Sequence, residues 1–134
     1  MSGRYRLHHI AIQTRGMEKA IHFYRDLLGL KIIKEETSPK GRRVVWFDAG
    51  EIRIELYSAK AGQRLSEAWS RDALGPLSIG LLVDDLNTAA ADLKRQGVSI
   101  HREPYYPVPG ERAAMIVGPD GEEIVLLERR VEEK

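Results

Sequence analysis

With 134 residues, of which 43% are hydrophobic, the chain has the size of one domain able to bury its own core. Lys and Arg total 21 against 20 Asp and Glu, a formal net charge of +1, which offers no basic field for nucleic acid or an anionic membrane. There is no Cys, so disulfides, thiolate metal sites and Cys nucleophiles are excluded.

Leu7 to Gln13 reads as a strand, with Ile10 and Ile12 on one face and His9, Ala11 and Gln13 on the other. Thr14-Arg15-Gly16 breaks it, with Thr14 as a candidate helix cap. From Met17 to Leu28, Ala20, Ile21, Tyr24, Leu27 and Leu28 recur at helical spacing, and Gly29 ends the helix in a left-handed turn. On that helix His22 is read as a surface residue and Phe23 and Tyr24 as core. Leu30 to Glu35 and Arg43 to Asp48 read as strands, followed by an Ala49-Gly50 turn. Ile52 to Tyr57 is a fourth strand, with Ile52, Ile54 and Leu56 alternating against Arg53, Glu55 and Tyr57. Trp46 lies mid-strand, and either face is open to it.

The segment 59–76 reads as a linker in which Leu65-Ser66-Glu67-Ala68-Trp69 forms either a short helix or an exposed stretch with one packed aromatic. Leu77 to Val83 is again a strand. Asp84 or Asp85 caps a helix running to about Arg95, and Gly97 marks its end. Val98 to Arg102 is a strand, Tyr105 to Glu111 a Pro- and Gly-containing loop, and Ala113 to Val117 a strand. Pro119-Asp120-Gly121 is a turn before the final strand, Glu123 to Leu127, and the charged run after Leu127 reads as a frayed tail.

The second series repeats the first. His9 to Ser78 is 69 residues (78−9), Gly29 to Gly97 is 68 (97−29), and Ile54 to Ile124 is 70 (124−54). Shared order at a nearly constant offset is the mark of an internal duplication. The expectation is an α+β domain over residues 7–127, made of two tandem βαβββ modules, about 7–58 and 77–127. Their sheets form a curved, cup-like half-barrel with the helices outside.

Several stretches carry a family resemblance. They are His9-Ile10-Ala11-Ile12, Ala20-Ile21-His22-Phe23-Tyr24-Arg25-Asp26-Leu27-Leu28-Gly29-Leu30, Ile54-Glu55-Leu56, Val83-Asp84-Asp85-Leu86, and Gly118-Pro119-Asp120-Gly121 with Ile124 following. In this order they resemble the vicinal-oxygen-chelate superfamily, which holds glyoxalase I, methylmalonyl-CoA epimerase, bleomycin-resistance proteins and extradiol dioxygenases. The resemblance implies a divalent metal held by His and Glu in each module, a lyase or isomerase reaction of the glyoxalase or epimerase type, and a homodimer.

Carried over residue by residue, the first metal ligand falls on His9, preferred over His8. The second falls on Glu55, which in the family doubles as the proton-transfer base. The second half departs from the pattern: Ser78 and Val125 stand where His and Glu are expected. Neutral Ser is a poor ligand for a divalent metal and Val cannot ligate. Glu128 faces away from Val125; Glu123 shares its face nearer the rim; His101 lies on a neighbouring strand of unknown facing.

The cup is then asymmetric. His9, Arg53, Glu55 and Tyr57 form a polar wall on a solvated face, and Ser78, Gly80, Leu82, Val125 and Leu127 form the opposite wall. Arg53, Tyr57, Ser78, Leu82 and Val125 are the candidate substrate contacts, with Arg53 itself read as mainly solvent-exposed. Three functions fit: a metal-assisted lyase or isomerase, a metal-free drug or metabolite binder of the bleomycin-resistance type, and metal-free acid–base catalysis by Glu55 or His9. The first ten residues lack a signal-peptide core and no apolar run reaches membrane-span length, so a soluble, cytoplasmic protein is expected. The expected partners are a small molecule and a second copy of the chain, not nucleic acid and not a membrane.

Overall fold

The structure, a computed structural model, describes residues 5–60 and 77–129. The expected helix at Leu65–Trp69 and the charged tail from Arg130 onward lie outside them, while Glu128 and Arg129, expected to begin that tail, are paired in the last strand. The chain divides into two compact units, Met1–Arg64 and Leu65–Lys134, each carrying one βαβββ series.

In the first unit, β1 (His9–Thr14) is followed by α1 (Met17–Ile21), which continues directly into a π-helical turn, His22–Leu27. Then come β2 (Lys31–Thr37), β3 (Arg43–Asp48) and β4 (Arg53–Ser58). The sheet order is β1-β4-β3-β2; β1 and β4 are parallel and the other pairs antiparallel. The first and last strands of the module therefore lie side by side.

Alternation decides which face is covered. Ile12, Val45, Phe47, Ile54 and Leu56 are buried on the face that meets Met17, Ala20, Ile21, Phe23 and Tyr24. The Tyr24 and Phe47 rings approach to 5.8 Å between centroids. The helix is less regular than its spacing predicts: the Leu28 amide donates to the Phe23 carbonyl, five residues back, at 2.9 Å. The wider turn accompanies the burial of two sequence neighbours, Phe23 and Tyr24. Gly29 ends it at φ 77°, the left-handed conformation its position predicts.

Thr14 does not cap the helix. Gly16 is the N-cap residue, and Thr14 remains in β1, 2% exposed, its Oγ1 accepting from the Gly16 amide at 3.2 Å. The hydroxyl closes the turn two residues before the helix begins.

The second unit repeats the plan with β5 (Ile79–Leu82), α2 (Leu86–Arg95), β6 (Ile100–Val108), β7 (Glu111–Val117) and β8 (Glu123–Arg129) in the order β5-β8-β7-β6. Asp85 is the helix cap, its carboxylate accepting from the Thr88 amide at 3.1 Å.

One expected loop is a strand. Tyr105 to Val108 belongs to β6, and only the turn to β7 around Gly110 (φ 85°) is irregular. Pro107 and Pro109 suggested a loop because proline lacks the ladder donor; Pro107 lies within β6 and Pro109 in the turn after it. β6 is an edge strand whose register to β7 shifts three times, and bulged edges tolerate proline.

Candidate functional site

β4 is the middle of the candidate site. Its buried residues Ile54 and Leu56 face the helix, so Arg53, Glu55 and Tyr57 project from the other face of the sheet. The register then assembles their neighbours. Glu55 lies between Ala11 on β1 and Trp46 on β3; Arg53 lies beside His9; Tyr57 lies between Gln13 and Val44; Lys34 lies across from Trp46. Trp46, whose facing the alternation leaves open, is thus on the face of Glu55.

Glu55 is held on both oxygens. Arg53 Nε donates to Oε2 at 2.7 Å, the Tyr57 hydroxyl donates to Oε1 at 2.9 Å, and His9 Nδ1 lies 3.7 Å from Oε2. Glu55 itself is not solvated as alternation suggests: it is only 3% exposed. Burial pushes its carboxyl pKa up, but the hydrogen bonds from Arg53 and Tyr57, together with the nearby His9 and Arg53, outweigh it and leave the pKa below the usual carboxylate value. The bond to Glu55, with burial adding to it, holds the Tyr57 phenol above its usual value.

Arg53 is likewise not the solvent-exposed residue expected of a single arginine. Its side chain is 26% exposed, and its guanidinium lies over the Trp46 ring at 3.6 Å, with Lys34 over the same ring at 4.4 Å. Beyond the bond to Glu55, the remaining N–H groups of Arg53 have no hydrogen-bond partner among the described residues. Trp46 Nε1 is buried and also without a partner there. His9 is half-exposed and edge-packed on His8, their Nδ1 atoms 2.8 Å apart.

The second unit carries the other predicted residues. Ser78 immediately precedes β5 and is exposed, Leu82 is 63% exposed, and Val125 is half-buried opposite Gly80. His101, whose facing was open, meets Glu123 at 3.3 Å, and the Glu123 side chain is 8% exposed. As expected, Glu128 takes the opposite face, its Oε2 accepting from the Leu86 amide at 3.2 Å. His22 is on the surface, 2.9 Å from Asp26.

The structure thus gathers His9, Arg53, Glu55 and Tyr57 on one face and adds Trp46 and Lys34. The signal for Trp46 was the hairpin register: β3 and β4 partners sum to a constant (46+55 and 44+57 both give 101) once the turn length is known. These residues do not fit a divalent-metal site of the His/Glu/His/Glu kind. Among the described residues, no three His, Asp or Glu side chains converge. The Glu55 oxygen nearest His9 already accepts from Arg53, and Ser78 and Val125 supply no imidazole or carboxylate.

The first and last strands paired in each duplicated module, with a His and a Glu brought to the same face in the first, can be set against known proteins. The chain is 27% identical to a lactoylglutathione lyase of Neisseria meningitidis serogroup A over 131 residues, 93% of this chain and 91% of the relative. It is 29% identical to the human mitochondrial methylmalonyl-CoA epimerase over 96 residues, 69% of this chain and 54% of the relative. A glyoxalase family protein from Bacillus cereus shares the fold with a TM-score of 0.81, covering 97% of each chain at 20% identity. The profile of the Glyoxalase/Bleomycin resistance protein/Dioxygenase superfamily matches residues 6–126, nearly the whole duplicated series, and the chain belongs to that superfamily.

Proposed function

We propose that the protein binds a small, oxygen-bearing organic molecule on the polar face of its first unit, with Arg53 rather than a metal as the cationic contact. One observation carries the reading: the Arg53 guanidinium is fixed by Glu55 and Trp46 while the rest of its donor fork has no hydrogen-bond partner among the described residues. A planar fork held in place recognises carboxylate, enolate or paired carbonyl oxygens with little ordering cost. Glu55 then positions Arg53. With both oxygens engaged and its pKa below the usual range, it is a weak proton acceptor near neutral pH. Tyr57 orients Glu55, and His9 flanks the fork on the exposed side. On the second unit, Ser78, Leu82 and Val125 remain proposed ligand contacts of that unit's own sheet, Leu82 and Val125 supplying apolar area. A single domain over residues 7–127, a cytoplasmic location and a homodimer belong to the same proposal, the last testable by light scattering.

A second reading is favoured by the relatives named as lyase and epimerase: a glyoxalase-type lyase or isomerase in which His9 and Glu55 hold a divalent metal and Glu55 moves a proton. The two readings part in one experiment. Thermal unfolding is followed with lactoylglutathione or methylmalonyl-CoA as probe, alongside turnover assays of both with and without EDTA. The binding reading expects a probe-induced rise in the unfolding midpoint that Arg53→Gln removes, with no turnover. EDTA-sensitive turnover of either probe overturns it in favour of the enzyme.

A further inference from the structure

The β2–β3 hairpin and the end of β4 enclose a hollow of about 560 Å³ that lies apart from the Arg53 fork. Among the described residues, its lining includes three cations, Lys40, Arg42 and Lys60, and no carboxylate. Of the acids described on α1 and β2, Glu18 and Glu35 pair with Arg43, and Glu36 pairs with Lys34. Lys40 has no ion pair among the described residues.

The cation at the centre of the hollow is held in place. Arg42 Nε donates to the Ser58 carbonyl at 3.0 Å, a terminal nitrogen donates to Gln13 Oε1, and the guanidinium lies over the Tyr57 ring at 5.1 Å. A surface arginine fixed in this way has already lost the side-chain freedom that ligand binding would otherwise remove.

The two lining serines add directed donors. Ser38 Oγ accepts from the Arg42 amide at 3.0 Å, and Ser58 Oγ accepts from the Arg43 amide at 2.9 Å. Each hydroxyl hydrogen has no protein acceptor among the described residues, so each is available to an oxyanion. Gly41, at φ 87°, lets the hairpin turn tightly enough to bring Ser38 opposite Arg42. Pro39 and Ala59 leave the remaining wall apolar.

From this we propose that the hairpin hollow is an anion-binding subsite for the phosphate of a small phosphomonoester whose organic part rests on the Pro39–Ala59 wall. A phosphomonoester carries about −1.5 to −2 charge at neutral pH, a closer match to Lys40, Arg42 and two hydroxyl donors than one carboxylate.

The test is a ¹⁵N–¹H NMR titration of the full chain with phenyl phosphate, with benzoate as the monoanionic comparison. The expected result is saturable shifts of the Gly41, Arg42 and Ala59 amides with phenyl phosphate and weaker binding of benzoate. Replacing two exposed lysines together, Lys40→Gln with Lys60→Gln, weakens the phosphate by about tenfold or more, the loss of charge-assisted contacts. Arg53→Gln leaves this binding unchanged, which separates the subsite from the polar-face reading. An absence of saturable shifts in the hollow, an unchanged affinity in the double lysine variant, or benzoate binding as tightly as phenyl phosphate overturns the assignment.

Discussion

Glu55 is a carboxylate that alternation puts on the polar face and that its neighbours then dehydrate. Its stability contribution depends on being ionised while both donors are in place. Because its folded pKa lies below the usual 4.5, that contribution is present above about pH 4.5 and is lost as pH falls through the folded value. Tyr57 acts at the other end: its pKa is raised above 10.0, so its contribution is full below that and is lost as pH rises through the folded value. Urea unfolding across pH should therefore show a plateau with both flanks steeper than in Glu55→Gln. At neutral pH the same variant should lose about 1–3 kcal/mol, since Arg53 and Tyr57 donate to different oxygens of Glu55 and an amide replaces one of them with a donor. A second residue-scale prediction concerns Gly118. A Cβ built there falls 2.4 Å from Glu122 Cδ, and Glu122 is 1% exposed with its carboxylate accepting from the Asp120 amide at 2.8 Å. Gly118→Ala should cost about 1–3 kcal/mol in chemical denaturation, because a buried carboxylate tied to its own turn cannot step aside.

At the scale of elements, the helix ends follow local chemistry. Asp85→Ala should lower stability by about 1 kcal/mol through loss of the Thr88 amide's acceptor, measured by urea unfolding. The strands follow position in the sheet instead. β4 and β8 are paired on both sides, whereas β2 and β6 are edges with shifted register. Amide exchange should accordingly be slowest at Ile54, Leu56, Ile124 and Leu126 and fastest along β2 and β6. Faster exchange in β4 than in β2 would contradict the sheet order. The bulge in β2 leaves Ile33 without a partner and 49% exposed, while Lys34 still reaches the Trp46 ring. A one-residue irregularity of this kind sets which side chain joins the polar face, and no period-two reading of the strand contains it.

For the whole molecule, the donor set predicts that EDTA leaves the unfolding midpoint and the phenyl phosphate affinity unchanged. A midpoint lowered by EDTA and restored by a divalent ion would show a metal bound to the folded chain. The superfamily was legible in the motif stretches. The sequence alone also determined the duplicated βαβββ order and the His9, Arg53, Glu55 and Tyr57 alternation. These depend on periodicity and turn residues, which are local. Tertiary structure decided that Trp46 shares the face of Glu55, that His101 meets Glu123, that β6 runs on through Pro107, and that Arg53 is stacked rather than free. It also decided that Glu55 is buried. Each of these depends on register between strands and on what lies across from a residue, and one strand's letters do not carry that information.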